Sequence, residues 1–222
     1  MNKTKIPWAD YTINPVKGLC PMACPYCYAR KMHKRFKWNP EIRYDDWVWQ
    51  KGGHISRGSK VFVGSTMELF GDWVKPEWLR LIFEYCEACT AHTFIFLTKQ
   101  PQNLIKWSPF PDNCWVGVSA IDNEMSFNAS CNLILVEAKV KFISFEPLLG
   151  RIGPAVFSLL LEKINWVIIG SQTQPTRHPP REWVDEIITA ADKAKIPVFV
   201  KEPMASHYGI FRQEFPYLGE KV

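Results

Sequence analysis

The sequence predicts an α/β fold: a partial (open) βα TIM-like barrel with six or seven parallel strands. Short β-branched or aromatic runs alternate with stretches of helical length, which is typical of βα units that build a parallel sheet. The runs are almost continuously apolar, as expected of strands buried on both faces. A complete eight-fold barrel typically needs about 250 residues, so the 222 residues here predict fewer units.

The predicted elements follow in chain order. A weak first strand is expected at residues 11–14, and clear strands at 60–65, 94–98, 114–119, 140–144, 166–170 and 197–201. Helices are expected at 76–91, 157–163 and 181–194, where apolar residues recur at intervals of three and four. One domain is predicted over 1–222, with a basic and aromatic insertion at 29–59 and an irregular cap at 204–222.

Composition limits the class of protein. The chain has no apolar run of about 18 residues and no apolar stretch typical of a secretory signal, so a cytoplasmic protein without a membrane span is expected. The cysteine count of 7 is odd, and the cysteine spacing resembles a metal site, which argues against a disulfide framework. The net charge of +5 is compatible with an anionic substrate.

Three cysteines near the N-terminus form the strongest motif. Cys20, Cys24 and Cys27 have the spacing C-x3-C-x2-C. Three thiolates can hold three irons of a [4Fe–4S] cluster, which leaves the fourth iron open to a small molecule. Two alternatives stay open: a zinc site with His33 as the fourth ligand, and three unconnected thiols.

This motif resembles that of radical S-adenosylmethionine (SAM) enzymes. The resemblance implies a [4Fe–4S] cluster and SAM as cofactors, and an open βα barrel as the fold. It also implies that SAM chelates the open iron through its amino and carboxylate groups. Tyr26, the aromatic residue directly before the last cysteine, is predicted to bind the cofactor.

Polar residues recur at the carboxyl ends of the predicted strands, where βα barrels gather their chemistry. The second strand is followed by Ser65, Thr66 and Glu68, at the place where radical SAM enzymes bind the amino group of SAM. The segment departs from that family's glycine-rich consensus, since only Gly64 remains. The sequence therefore leaves open which of the three makes the contact.

The later strand ends complete the predicted site. Lys99 is a suitable cation for the SAM carboxylate, with a solvated loop lysine as the alternative, and Ser119 is a plausible ribose or carboxylate contact. Glu146, which follows a buried strand and precedes Pro147, is predicted to be catalytic together with Lys201. The alternative for Glu146 is a helix cap or a buried ion pair.

Two narrower resemblances follow from longer segments. The stretches CPMACPYCYA, VFVGSTMELFGDW, FLTKQPQNL, WVGVS, FISFEPLLG, WVIIGSQ and PVFVKEP resemble a family of small phage and prophage proteins with the three-cysteine motif and no settled function. The pair Thr98 and Lys99 also resembles spore photoproduct lyase, a radical SAM enzyme that repairs thymine dimers. Neither resemblance identifies a substrate.

A basic run with two aromatic residues follows the cysteine motif. One interpretation is a surface for a nucleic acid or nucleotide substrate, with stacking aromatics. The others are a docking site for a flavodoxin or ferredoxin-type electron donor and the solvated face of a helix. The run comprises Arg30, Lys31, Lys34, Arg35, Phe36, Lys37 and Trp38.

The sequence thus predicts a radical SAM enzyme. The resemblance implies reductive cleavage of SAM to a 5′-deoxyadenosyl radical that abstracts hydrogen from a substrate, and a nucleobase or nucleotide in DNA modification or repair is favoured. The alternatives are a zinc-stabilised nucleic-acid-binding module and a non-catalytic iron–sulfur electron-transfer protein.

Overall fold

A computed structural model describes residues 1–50, 55–173 and 175–217. The predicted insertion at 29–59 includes residues 51–54, and the predicted cap at 204–222 includes residues 218–222; both of these stretches lie outside the described residues. In that part of the chain that is described, no helix is long and apolar enough to cross a membrane.

Within the described residues, twelve strands form one large sheet and two small two-stranded sheets. The strands are β1 Asn2–Lys3, β2 Tyr11–Ile13, β3 Val16–Lys17, β4 Arg43–Tyr44, β5 Lys60–Val63, β6 Thr93–Thr98, β7 Cys114–Ser119, β8 Val140–Phe145, β9 Trp166–Ile169, β10 Gln172–Thr173, β11 Thr176–Arg177 and β12 Val198–Val200. The helices are α1 Tyr28–Phe36, α2 Trp47–Gln50, α3 Pro76–Ala88, α4 Asn123–Leu133, α5 Pro154–Leu161, α6 Arg181–Lys193 and α7 Met204–Tyr208, with a 3-10 helix at Pro101–Trp107.

The large sheet has eight strands in the order β1-β2-β5-β6-β7-β8-β9-β12. Parallel pairing joins β2 to β5, β5 to β6, β8 to β9 and β9 to β12, whereas the short β1 is antiparallel to β2. The sheet begins at β1 and ends at β12 without closing. The predicted fold class, an open α/β sheet of mainly parallel strands, is confirmed.

Most of the predicted elements are found within a few residues of their expected bounds. The predicted helix at 76–91 ends earlier, at Ala88, because Cys89 leaves the helical region with φ −104° and ψ 58°. Helix α4 was not predicted, since its sequence is rich in Ser and Asn and has no strong apolar stripe. Its start is nevertheless fixed by Asp122, whose side chain accepts a hydrogen bond of 2.9 Å from Met125 N.

The chain divides into two compact units. The first comprises Met1–Val116 with Glu137–Lys139, and the second Gly117–Val136 with Val140–Val222. Buried aromatic rings fill both cores: Phe83 packs on Phe96 and Phe110 in the first unit, and Trp166 on Phe142 and Phe199 in the second. The single domain predicted over 1–222 stays a prediction.

Candidate active site

The cysteine loop lies in the first unit between β3 and α1. Cys27 is the residue before α1, and its N–H donates to Cys24 O at 3.0 Å. Ala23 turns the loop with a left-handed φ of 48°. The resulting turn brings the thiols of Cys20, Cys24 and Cys27, all half-buried and free of disulfides, to one small pocket that Met22 and Thr66 also line.

The surroundings of Cys20 change the pKa of its thiol. Burial raises its pKa above the ordinary thiol value, and the backbone N–H groups of Glu68 and Met22 act in the opposite direction by hydrogen bonding to the sulfur. Arg30 Nη2 donates to Cys20 O at 2.7 Å and so holds the loop against the start of α1. Donors directed at a sulfur are among the groups that tune iron–sulfur clusters.

Three thiols at one pocket form a donor set that could hold an iron–sulfur cluster. In a [4Fe–4S] cluster each thiolate binds a different iron, so the three sulfurs surround the cluster and need not converge on one point. A structural zinc site needs four convergent ligands. Among the described residues, no group of three or more His, Cys, Asp and Glu side chains is placed to hold one metal ion. His33, the candidate fourth zinc ligand, lines the same pocket as the three cysteines and packs edge-on against Trp38 with ring centroids 5.2 Å apart.

Asn14 orients the segment that follows β5, and sequence reasoning did not select it for the site. Its Oδ1 accepts hydrogen bonds from Ser65 Oγ at 3.2 Å and from Thr66 N and Oγ1, both at 3.1 Å. The Tyr28 hydroxyl donates to Ser65 O. The available signal was position: Asn14 directly follows β2, whose carboxyl end lies beside that of β5.

Glu68 is a buried carboxylate that joins the ends of β5 and β6. Its Oε1 accepts from Phe70 N at 3.1 Å and from Thr98 Oγ1 at 2.7 Å, and its Oε2 accepts from Lys99 N at 2.7 Å. Burial raises the pKa of Glu68, while these donors and the Lys99 charge lower it less strongly. Three of its acceptor positions are therefore used within the protein.

The ammonium group of Lys99 forms no ion pair with another described residue. The Nζ atom lies 6.0 Å from the centroid of the Tyr26 ring, and no carboxylate of the described residues lies within ion-pair distance of it. The next residue, Gln100, donates from Nε2 to Met22 Sδ at 3.1 Å and so ties β6 to the cysteine loop. The first unit thus links the predicted residues of the cysteine loop, the segment after β5 and Lys99.

Ser119, Glu146 and Lys201 lie in the second unit, whereas the cysteine loop belongs to the first. Ser119, at the end of β7, is only 1 % exposed, and its hydroxyl has no hydrogen-bond partner among the described residues. Ser144 on β8 is also buried, and its hydroxyl likewise has no hydrogen-bond partner among the described residues. Ala120 N donates to Ser144 O at 3.0 Å, which sets Ser119 beside Ser144 in the parallel ladder.

Glu146 and Lys201 form an ion pair in which Lys201 Nζ donates to Glu146 Oε1. The two side chains come from the ends of β8 and β12 and meet over Gly170, which follows β9 between them. A Cβ at position 170 would lie 3.3 Å from Glu146 Cγ and 3.5 Å from Lys201 Cδ. The predicted alternative of an ion pair for Glu146 therefore describes its contact, and its catalytic role stays a prediction.

Comparison with known proteins gives a family. A family model described as "Protein of unknown function (DUF5131)" matches residues 3–211. The chain belongs to this family. No curated protein matches the chain. The DUF5131 description carries no activity, so the family match leaves the roles of the candidate residues as predictions.

Solved structures of spore photoproduct lyase share the fold. A mutant of that enzyme matches this DUF5131 chain with a TM-score of 0.61 and 13% identity, covering 90% of this chain and 78% of the other. A mutant with bound AdoMet and dinucleoside spore photoproduct gives a TM-score of 0.57 at 13% identity, with the same coverage. At 13% sequence identity, the structural similarity shows that the two proteins share a fold.

Proposed function

We propose that this protein is a radical SAM enzyme that acts on a nucleobase or nucleotide. The observation that carries the proposal is the cysteine loop, in which three free thiols line one pocket at the carboxyl ends of β2 and β5. A [4Fe–4S] cluster held there supplies one-electron chemistry, with a vacant iron for SAM. The shared fold with a lyase structure that contains AdoMet supports the assignment.

The residues around the loop have roles in this proposal that match their contacts. Cys20, Cys24 and Cys27 hold the cluster. The ammonium group of Lys99 meets the SAM carboxylate, because a carboxylate prefers a cation that no internal acid neutralises. Thr66, and Ser65 beside it, offer hydroxyl oxygens to the SAM amino group, and Asn14 sets their orientation. The Glu68 carboxylate positions Lys99 by accepting from its backbone N–H, and the Glu68 backbone N–H donates to the Cys20 sulfur, so Glu68 supports the site without contacting SAM itself.

The test is anaerobic reconstitution followed by SAM cleavage. A brown protein with about four irons and four sulfides that releases 5′-deoxyadenosine from SAM with dithionite supports the proposal. Cys24→Ala should lose both the colour and the cleavage. Cys131→Ala is the matched control, because Cys131 is exposed on α4 and should leave both unchanged.

Two other outcomes would favour the alternatives. A colourless protein that retains zinc would indicate a zinc-stabilised nucleic-acid-binding module. A brown protein that does not cleave SAM would indicate an iron–sulfur electron-transfer protein. Mass spectrometry of SAM turnover with nucleosides and DNA then identifies the substrate, because deuterium from a labelled substrate appears in the 5′-deoxyadenosine.

A further inference from the structure

The Glu146–Lys201 ion pair lies across the sheet surface of the second unit. Neighbouring strands are about 4.8 Å apart, so side chains from β8 and β12 must span roughly 10 Å over the intervening β9. Only long side chains reach so far, and Gly170 leaves the space in which they meet. This arrangement fixes both charged groups at the carboxyl edge of the sheet.

The pair is accessible and incompletely satisfied. The side chain of Lys201 is 14% exposed and that of Glu146 is 27% exposed. Lys201 Nζ uses one of its three donor hydrogens on Glu146 Oε1, and within the described residues Glu146 Oε2 has no partner. The surface therefore presents an acceptor oxygen directly beside a donor nitrogen, with the two charges cancelling.

Hydrogen bonds at and just after Gly170 fix the backbone beside the ion pair. Ser171 is 4% exposed, and its Oγ lies 2.8 Å from His178 Nδ1, which closes the base of the β10–β11 hairpin. Leu148 N donates to Gly170 O at 3.0 Å and so fixes the chain just beyond Glu146. The donor and the acceptor are thus held rigidly by flanking backbone.

We propose that the Glu146–Lys201 pair is a recognition site for the edge of a neutral nucleobase. Glu146 Oε2 accepts from a ring or exocyclic N–H, and Lys201 Nζ donates to the adjacent carbonyl or ring nitrogen. A charged ligand gains little here, because the pair has no net charge. This pair would be the contact with the substrate in the proposed function. Nucleobase binding here does not require radical SAM chemistry, and the inference rests on the proposed function only for the reaction that follows binding.

Nucleoside binding to the protein as purified tests the site without SAM cleavage. Thymidine titrated by calorimetry should bind, and N3-methylthymidine, which lacks the N–H donor, should bind about 10- to 100-fold more weakly, as expected for a hydrogen bond to a charged group. Glu146→Met and Lys201→Met should each weaken thymidine binding by a similar factor. Glu162→Gln is the control, since Glu162 lies on the surface after α5.

The methyl discrimination separates recognition from a structural clamp. In Glu146→Met, which lacks a side-chain oxygen, the preference for thymidine over N3-methylthymidine should shrink towards unity, whereas a structural pair would lower stability and leave the preference unchanged. Lys201→Arg keeps a hydrogen-bond donor and the positive charge. Its thymidine binding can be measured if the other variants do not fold. Titrating a short single-stranded oligothymidylate in parallel tells a free nucleoside ligand from a base within a nucleic acid.

Three results would overturn the proposal. They are the absence of thymidine and oligothymidylate binding to the wild-type protein, an unchanged methyl preference in Glu146→Met, and tighter binding of a simple anion such as inorganic phosphate at the same pair. Failure of SAM cleavage in every variant, with nucleoside binding intact, would instead refute the proposed function and leave this site standing.

Discussion

At the scale of single residues, Glu68 has the densest set of contacts near the cysteine loop. Glu68→Gln keeps one acceptor oxygen and replaces the other with an NH2 group, so the hydrogen bonds that Glu68 receives at one of its two oxygens are lost. We expect a loss of about 1–3 kcal/mol in the free energy of unfolding, measured with urea for both proteins at the same pH. Glu87→Gln, an exposed change on α3, should stay within about 0.5 kcal/mol; equal losses in both variants would refute the role given to Glu68.

The stacked pair of His178 and His207 gives a pH prediction. Their rings are parallel with centroids 4.0 Å apart, and burial together with His207 lowers the pKa of His178. A histidine whose pKa is lower in the folded state resists protonation there. Its contribution to stability is complete above the unfolded value of about 6.5 and is lost as the pH falls below that value.

His207→Phe keeps a stacked ring but removes the second charge. The melting temperature of the wild-type protein should therefore fall more between about pH 7.5 and pH 5.5, the range in which histidine titrates, than that of His207→Phe. Differential scanning calorimetry at the two pH values measures the difference. A pH dependence of equal size in both proteins would show that the pair does not affect stability.

At the residue scale, the sequence predicted the residue types but not their partners. The cysteines were recognisable because their spacing is local, and the first unit links Tyr26, Ser65, Thr66, Glu68 and Lys99 to that loop. The hydrogen bonds of Asn14 to Ser65 and Thr66 could not be predicted, because they join residues about fifty positions apart. The contact between Glu146 and Lys201 over Gly170 could not be predicted for the same reason.

At the scale of elements, α1 presents a cationic and aromatic surface directly after the cysteine loop. Lys34 and Arg35 are exposed, and Phe36 and Trp38 are 52% and 40% exposed. Arg35 lies over the Phe36 ring at 5.3 Å, and Phe36 stacks on Trp38. We propose that this surface binds an anionic partner, either single-stranded nucleic acid or an acidic electron donor of the flavodoxin or ferredoxin type.

Charge reversal on α1 distinguishes these partners. For Lys34→Glu/Arg35→Glu, the salt dependence of single-stranded DNA binding should decrease in slope by about 1–2, since each phosphate contact contributes about 0.7. The control variant Lys139→Glu/Lys193→Glu has the same net charge and changes exposed residues elsewhere. An unchanged DNA slope, together with loss of flavodoxin-driven but not dithionite-driven SAM cleavage, would assign the surface to the electron donor.

The strands could be predicted because each is a short and almost continuously apolar run in the sequence. Six of the predicted runs coincide with β5, β6, β7, β8, β9 and β12. Helix α4 and the β10–β11 hairpin were not predicted. Asp122 at the start of α4 acts through one capping bond, and the hairpin has only two residues in each strand. Signals of this size are too local to stand out in the sequence.

At the scale of the whole molecule, ligand binding should protect a defined set of backbone amides. If the cluster and Lys99 both hold SAM, its binding stabilises the folded state by about 2.7 kcal/mol at a free concentration one hundred times Kd. Hydrogen–deuterium exchange of the anaerobic, reconstituted protein should then slow at residues 20–30, 64–70 and 98–100, which carry the linked contacts of the first unit. Cys24→Ala at the same SAM concentration should show no such protection, since the vacant iron is missing. Protection confined to the groove between α5 and α6 would place the SAM site elsewhere and contradict the assignment.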